Sequence, residues 1–341
     1  MNPNFRSFVK QAQACREMGS PFTADILEAL ASVLDMNTLT GRRISSWPAE
    51  PLADALPLRL AGGLHALARR KVDPALTALY ENLGGDIVEI LREVLSAYDS
   101  ELVQWLDSPP QTNEVGRASA LYAGLLVTAH RYNQPIELFE LGASAGLNLN
   151  LDRFAYVLGG ENFGDVTSPV KLVPKWQGKA PPASPPIIIA RSGVDLNPVD
   201  VRNEQVADRL IAYVWPDQSE RLARIAAAIS ISIANPPKVG EDDAAEWLEL
   251  ALARPQPEGT TRVIMHSVFW QYLPQTTQQK ITELIEKASE YATKTHPLCH
   301  LTFEAVQSLY KMELRLKSWP DASDQLLATC HPHATSVDWL V

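Results

Sequence analysis

The chain has 341 residues, 46% of them hydrophobic, enough to bury the core of one large domain or two ordinary ones. Its formal net charge of -10 argues against a broad phosphate-binding surface, and with it against nucleic acid as a bulk partner, while leaving room for a small local basic patch. Three widely spaced cysteines, Cys15, Cys299 and Cys330, show neither a disulfide framework nor the paired spacing of a zinc site. The polar stretch from Met1 to Gly19 lacks the apolar segment of a secretion signal, and no apolar run reaches bilayer length, so the expected location is the cytoplasm, away from membranes.

Helical spacing comes first. Phe5, Phe8, Val9, Ala12 and Cys15 recur on one face, and Ile26, Leu27, Leu30, Val33 and Leu34 repeat the pattern after Ser20-Pro21. Prolines 48, 51 and 57 interrupt regular structure. Helical patterns then resume at Leu58–Arg69, Pro74–Asn82, Ile87–Leu95 and Glu101–Trp105, and no strand pattern precedes residue 135. A polar cluster, Gln111, Thr112, Asn113, Glu114 and Arg117, leads into a helix carrying Leu121, Leu125 and Leu126. Asn113 suits the cap of that helix. The cluster as a whole also suits a wall of a ligand site, with Asn113, Glu114 and Arg117 as substrate contacts.

The stretch from Pro135 to Leu149 reads as strand, tight turn and helix. Ile136–Leu141 is the strand, Glu140 stands near its end, and Gly142, Ser144 and Gly146 keep the turn small enough for a ligand to approach the backbone. A plain strand-to-helix turn without a ligand is the other reading of the same residues. The pattern acid-x-Gly-x-Ser-x-Gly resembles the first motif of the Rossmann-like S-adenosylmethionine-dependent methyltransferases, with Ser144 in place of the middle glycine. The resemblance implies S-adenosylmethionine as cofactor, the loop around its methionine part, and Glu140 acting on its amino end directly or through water.

Beyond the turn, Leu147–Leu158 is expected to be the first helix of the α/β unit. Residues 159–186, rich in Gly and Pro with a short strand expected at Val170–Val173, form an insertion at the mouth of the site or over a sheet edge. Pro186–Ala190 opens the second strand, and Asp195 beyond it is a candidate for ribose hydroxyls, or else a turn-forming Asp, since it lies farther from the glycine loop than about 20 residues. Lys238–Ala244 reads as a short third strand ending in acids; the resemblance implies that Asp242 meets the adenine amino group, while helix capping is its alternative role. Val263–Met265 is the fourth strand. His266 at its carboxyl end suits a general base or a structural histidine, and Trp270 suits an aromatic wall beside a sulfonium. Gln275–Tyr291 reads as a helix, and Leu298–Ala305, Met312–Lys317 and Gln325–Cys330 as further strands. Glu304, His331 and His333 are loose polar candidates, without the carboxylate spacing that a metal site needs.

Gln111-Thr-Asn-Glu-x-x-Arg117, Glu140-Leu-Gly-Ala-Ser-Ala-Gly, Asp152-Arg153-Phe154, Arg191-x-Gly-Val-Asp195 and Trp215-Pro-Asp-Gln218 together resemble a bacterial family catalogued as domain of unknown function 2332, over nearly the whole chain. The expected architecture is a helical N-terminal region (1–132), then a Rossmann-like methyltransferase-type α/β domain (133–341) with about seven strands. The expected activity is methyl transfer to an unidentified acceptor. Two rival expectations are a non-catalytic adenosyl- or nucleotide-binding sensor and a nicotinamide-dependent oxidoreductase, the latter disfavoured by Ser144 and Glu140.

Overall fold

A computed structural model describes residues 2–306 and 311–341. The chain forms two compact units, residues 1–112 with 203–223, and residues 113–202 with 224–341.

The first unit is helical: α1 (Pro3–Glu17), α2 (Pro21–Val33), α3 (Leu39–Ser45), α4 (Leu56–Arg69), α5 (Pro74–Asn82), α6 (Ile87–Ala97) and α7 (Asp99–Trp105). Proline stands in the first turn of α1, α2, α4 and α5, where its missing N–H costs nothing, and Asn2, Thr38, Asp73 and Asp86 cap α1, α3, α5 and α6 with side-chain oxygens. Phe8, Leu27, Leu30, Leu60 and Leu64 meet in its core. Helix α2 is capped from far along the chain: Ser20 makes no cap bond to it, and instead the Asp217 carboxylate accepts the Phe22 amide at 3.0 Å and the Ser20 hydroxyl.

The second unit begins with a 3₁₀ turn at Val115–Arg117 and runs through α8 (Ala118–Tyr132), β1 (Ile136–Leu141), β2 (Ala155–Leu158), β3 (Glu161–Gly164), β4 (Lys171–Leu172), β5 (Lys175–Gln177) and β6 (Ile188–Asp195). The chain passes through α9 (Glu204–Ala212) of the first unit, and α10 (Ser219–Ala234) spans the point where it returns. Then come β7 (Lys238–Glu241), α11 (Ala244–Leu252), β8 (Thr261–Ser267), α12 (Gln275–Ser289), β9 (Leu298–Ala305), β10 (Met312–Trp319), β11 (Ser323–Cys330) and β12 (Ser336–Trp339).

One sheet holds nine strands, not about seven, in the order β5-β12-β11-β10-β9-β8-β1-β6-β7. From β9 to β7 every pairing is parallel; β9 to β12 is an antiparallel meander, and β5 adds in parallel at its edge. The surplus over the expected count comes from β12 and from β5, a three-residue strand within 159–186 that is held by β12 and whose Trp176 ring lies 5.4 Å from that of Trp339. Helix α8 covers one face, where Gly124 lets the helix approach Leu301. Helices α11 and α12 cover the other, packing Leu248, Ile281 and Ile285 against Phe139, Leu141, Val194 and Ile264.

The helix expected over Leu147–Leu158 is absent. Leu147–Arg153 is a 3₁₀ segment with Asn150 outside helical dihedrals, and Phe154 turns extended. Two buried asparagines divert it: Asn148 Nδ2 donates to the Glu114 carbonyl and Asn150 Nδ2 to the Asn235 carbonyl at 3.1 Å. Residues 155–158 then pair with β3 through Gly159-Gly160, both at positive φ, the two-residue turn that matches strand twist. With β4 these form a separate three-stranded sheet.

Removing the remote cap, Asp217→Ala, is expected to destabilise the protein by about 1–2 kcal/mol, with Asp217→Asn retaining part of that, as measured by chemical denaturation.

Candidate functional site

The parallel strands run in spatial order third, second, first, fourth, fifth, so the order reverses between β1 and β8. At such a switch point the loops beyond the carboxyl ends diverge and leave a crevice. Glu140-Leu141-Gly142 and His266-Ser267 flank it.

The turn after β1 is stitched to the end of β6. The Ala143 amide donates to the Val194 carbonyl (3.0 Å), the Val199 amide to the Ser144 carbonyl (3.1 Å), and the Ser144 amide to Asp195 Oδ2 (2.8 Å). Gly142, Ser144 and Gly146 all have positive φ. At Gly142 a Cβ would also fall 2.3 Å from the Phe269 ring, so both dihedral and space require glycine. Serine tolerates the middle position because its amide, aimed by that dihedral, is held by a carboxylate.

Asp195 is therefore the fastener of the loop: its other oxygen accepts the Asn197 amide at 2.9 Å. Asp242 Oδ1 accepts the Asp243 amide, and its own amide reaches the Asp195 carbonyl; Asp243 is the residue that caps α11. Asn113 does not cap the following helix. Its Oδ1 accepts the Leu147 amide at 2.8 Å, which ties the polar cluster to the loop, while Glu114 caps the 3₁₀ turn through the Gly116 amide and lies 3.9 Å from Arg224. Arg117 donates to the carbonyls of Ser267 and Pro332, bridging from the polar cluster to the end of β8.

Glu140 is buried on the α8 face. Desolvation, with the Asp195 charge adding to it and Arg117 opposing it, raises its pKa well above the ordinary 4.5. Glu140 Oε2, Ser144 Oγ and Asn148 Oδ1 are buried and have no hydrogen-bond partner among the described residues. Unsatisfied buried polar atoms are rare, and here three fall within nine residues of the loop.

His266 belongs to a different cluster. In register it sits beside Leu141, whereas Glu140 sits beside Met265, so side-chain alternation sends His266 to the α11–α12 face, opposite to Glu140. Its Nδ1 contacts Glu304 Oε1 at 2.6 Å, its Nε2 contacts His300 Nε2 at 3.0 Å, and Trp270 stacks on its ring. Burial and the neighbouring His266 and Lys317 charges drive the His300 pKa well below its ordinary value. Glu304 also accepts the Phe269 amide, and the Phe269 ring rests on Gly142. Thus the structure gathers Glu140, Gly142, Ser144, Gly146, Asp195, Asn113 and Arg117 about the loop, and separates His266 and Trp270 from Glu140 by the sheet. The sequence signal for the missed partner His300 was its period-two spacing from Glu304 on one strand face. Among the described residues no group of three or more His, Cys, Asp or Glu is disposed to hold a metal ion, and no helix is long and apolar enough to cross a membrane.

These features define an open α/β protein with a tight, acid-flanked turn at the switch point of its sheet. A model of an uncharacterized protein family conserved in bacteria, domain of unknown function 2332, matches residues 6–339, and the chain belongs to that family. No curated protein and no solved structure matches it.

Because folding raises the Glu140 pKa, the associated stability is complete below the unfolded-state value and is lost as pH rises toward the folded-state one. Glu140→Gln removes that loss: relative to wild type it should gain stability as pH rises above about 5, by up to about 1.4 kcal/mol per pH unit, in denaturant titrations at each pH. Asp195→Ala should speed hydrogen exchange at the Ser144 amide by about tenfold or more, the loss of one charge-assisted hydrogen bond.

Proposed function

We propose that the protein is an S-adenosylmethionine-dependent methyltransferase whose cofactor sits at the turn after β1. The observation that carries this reading is the trio of unpartnered buried polar atoms, the acceptor oxygens Glu140 Oε2 and Asn148 Oδ1 and the hydroxyl Ser144 Oγ, which can accept as well as donate. Acceptors in excess call for a ligand rich in donors, and a carboxyl held in a desolvated position calls for a cationic one. The α-ammonium of the cofactor's methionine part meets both demands. The acid-x-Gly-x-Ser-x-Gly pattern, its place at the switch point and its resemblance to the methyltransferase motif support the same reading.

In the reaction the acceptor's electron pair forms a bond to the methyl carbon as the carbon–sulfur bond breaks, its electrons remaining on sulfur; an acceptor proton, where there is one, leaves to solvent. In-line displacement of this kind is accelerated by alignment and exclusion of water. The loop and Asp195 would supply alignment, with Asn113 and Arg117 bordering the acceptor. A second reading, an adenosyl-binding sensor without turnover, draws on the engagement of both His266 nitrogens with Glu304 and His300, which takes the expected general base out of play.

Calorimetric titration with S-adenosylmethionine and S-adenosylhomocysteine should show binding of both, weakened about tenfold or more by Glu140→Gln through loss of a charged hydrogen bond, with no comparable binding of NAD. Absence of adenosyl binding by folded protein would overturn the reading; binding without label transfer from methyl-labelled cofactor to any acceptor would favour the sensor.

A further inference from the structure

A cleft of about 710 Å³ lies around the edge strand β7, lined by side chains of β6, β7, α10 and α11 and by the segment following β6. It touches the loop only at Ala145 and includes none of Glu140, Asp195 or Asp242. Its polar chemistry is opposite to that of the loop. Ser232 on α10 is 1% exposed, and its Oγ has no hydrogen-bond partner among the described residues. Lys238 at the start of β7 and Arg254 beyond α11 are exposed, and their side chains enter no hydrogen bond or ion pair among the described residues. Trp247 lies over Gly240, where a Cβ would stand 3.5 Å from its Nε1, and this N–H also donates to no described residue. The cleft's one acid, Asp200, is held by Arg202, with Oδ2 2.8 Å from Nη2.

The cleft thus carries a local surplus of cations and unanswered donors in a chain of formal net charge -10. A buried hydroxyl without a partner is costly, and here its residue lines the same cleft as two cations without a described partner and an indole. We propose that this cleft is a binding site for a small phosphate monoester bearing a planar group. Lys238 and Arg254 hold the phosphate, whose oxygens present acceptors in several directions. Ser232 Oγ and Trp247 Nε1 donate to the remaining oxygens, and the planar group lies along the Trp247 ring. The site is separate from the adenosyl reading and stands whether or not that reading does.

The probe is phenyl phosphate, which lacks any adenosyl part, followed by Trp fluorescence and calorimetry at low ionic strength. Phenyl phosphate should bind, phenol should bind at least about tenfold more weakly, and inorganic phosphate should compete. Lys238→Ala/Arg254→Ala, both at exposed positions, should weaken binding about tenfold or more with an unchanged melting temperature, and Ser232→Ala should weaken it further. Glu140→Gln should leave the affinity unchanged. Absence of phenyl phosphate binding, equal binding of phenol, or full affinity in the Lys238→Ala/Arg254→Ala protein would each overturn the proposal; sensitivity to Glu140→Gln instead would assign the ligand to the loop.

Discussion

The hydrogen bond from the Ser144 amide to Asp195 joins the ends of the two strands that carry the loop. Three positive-φ residues in five positions make a turn that would not persist on local preference alone, and one of them has a side chain. The carboxylate compensates for that strain by fixing the amide direction, and the adjacent backbone bonds between β6 and the loop fix the rest. With the turn set, Glu140 has nowhere to go but inward, Gly142 lies under Phe269, and Leu147 is delivered to Asn113. The acid that the sequence suggested for a ribose is thus first of all a part of the loop's architecture.

Side-chain alternation then divides the polar groups of the second unit. On the α8 face stands Glu140, desolvated and acted on by the charges of Asp195 and Arg117. On the α11–α12 face, Glu304, His266 and His300 form a chain of contacts in which each imidazole answers its neighbour. A stack joins the end of β9 to the loop, Glu304 to the Phe269 amide and the Phe269 ring to Gly142. Polar groups that satisfy one another in this way fix a geometry, whereas the loop's unanswered acceptors ask for a partner.

The legibility of the sequence followed the range of the interactions. Helices α1 and α2 and strands β9 and β10 were readable because their apolar periods are local and long enough to register. The central strand and its turn were readable because the turn needs small residues whatever surrounds it. Residues 147–158 misled because Leu147, Leu151 and Leu158 fit a helical face, while the carbonyls that capture Asn148 and Asn150 come from residues 114 and 235; Gly159-Gly160 was the one local sign of a hairpin. Strand β5 was unreadable in principle, being three residues whose pairing depends on β12. At the site, Glu140 and the loop could be named in advance, but not the face each side chain takes. His266 and Glu140 sit at equivalent strand ends in the sequence, and a register of one residue puts them on opposite sides.

The helical unit is discontinuous in the chain. The bond that caps α2 spans 195 residues, from Phe22 to Asp217, and all of β1 to β6 is synthesised between its two ends. A growing chain can therefore assemble α1 to α7 early but holds α2 without its cap until residue 217 has emerged. The closure entropy of so long a loop rises only logarithmically with its length, so the burden falls on timing more than on stability. Maturation of the first unit is in this way made conditional on synthesis of the strands that carry the loop.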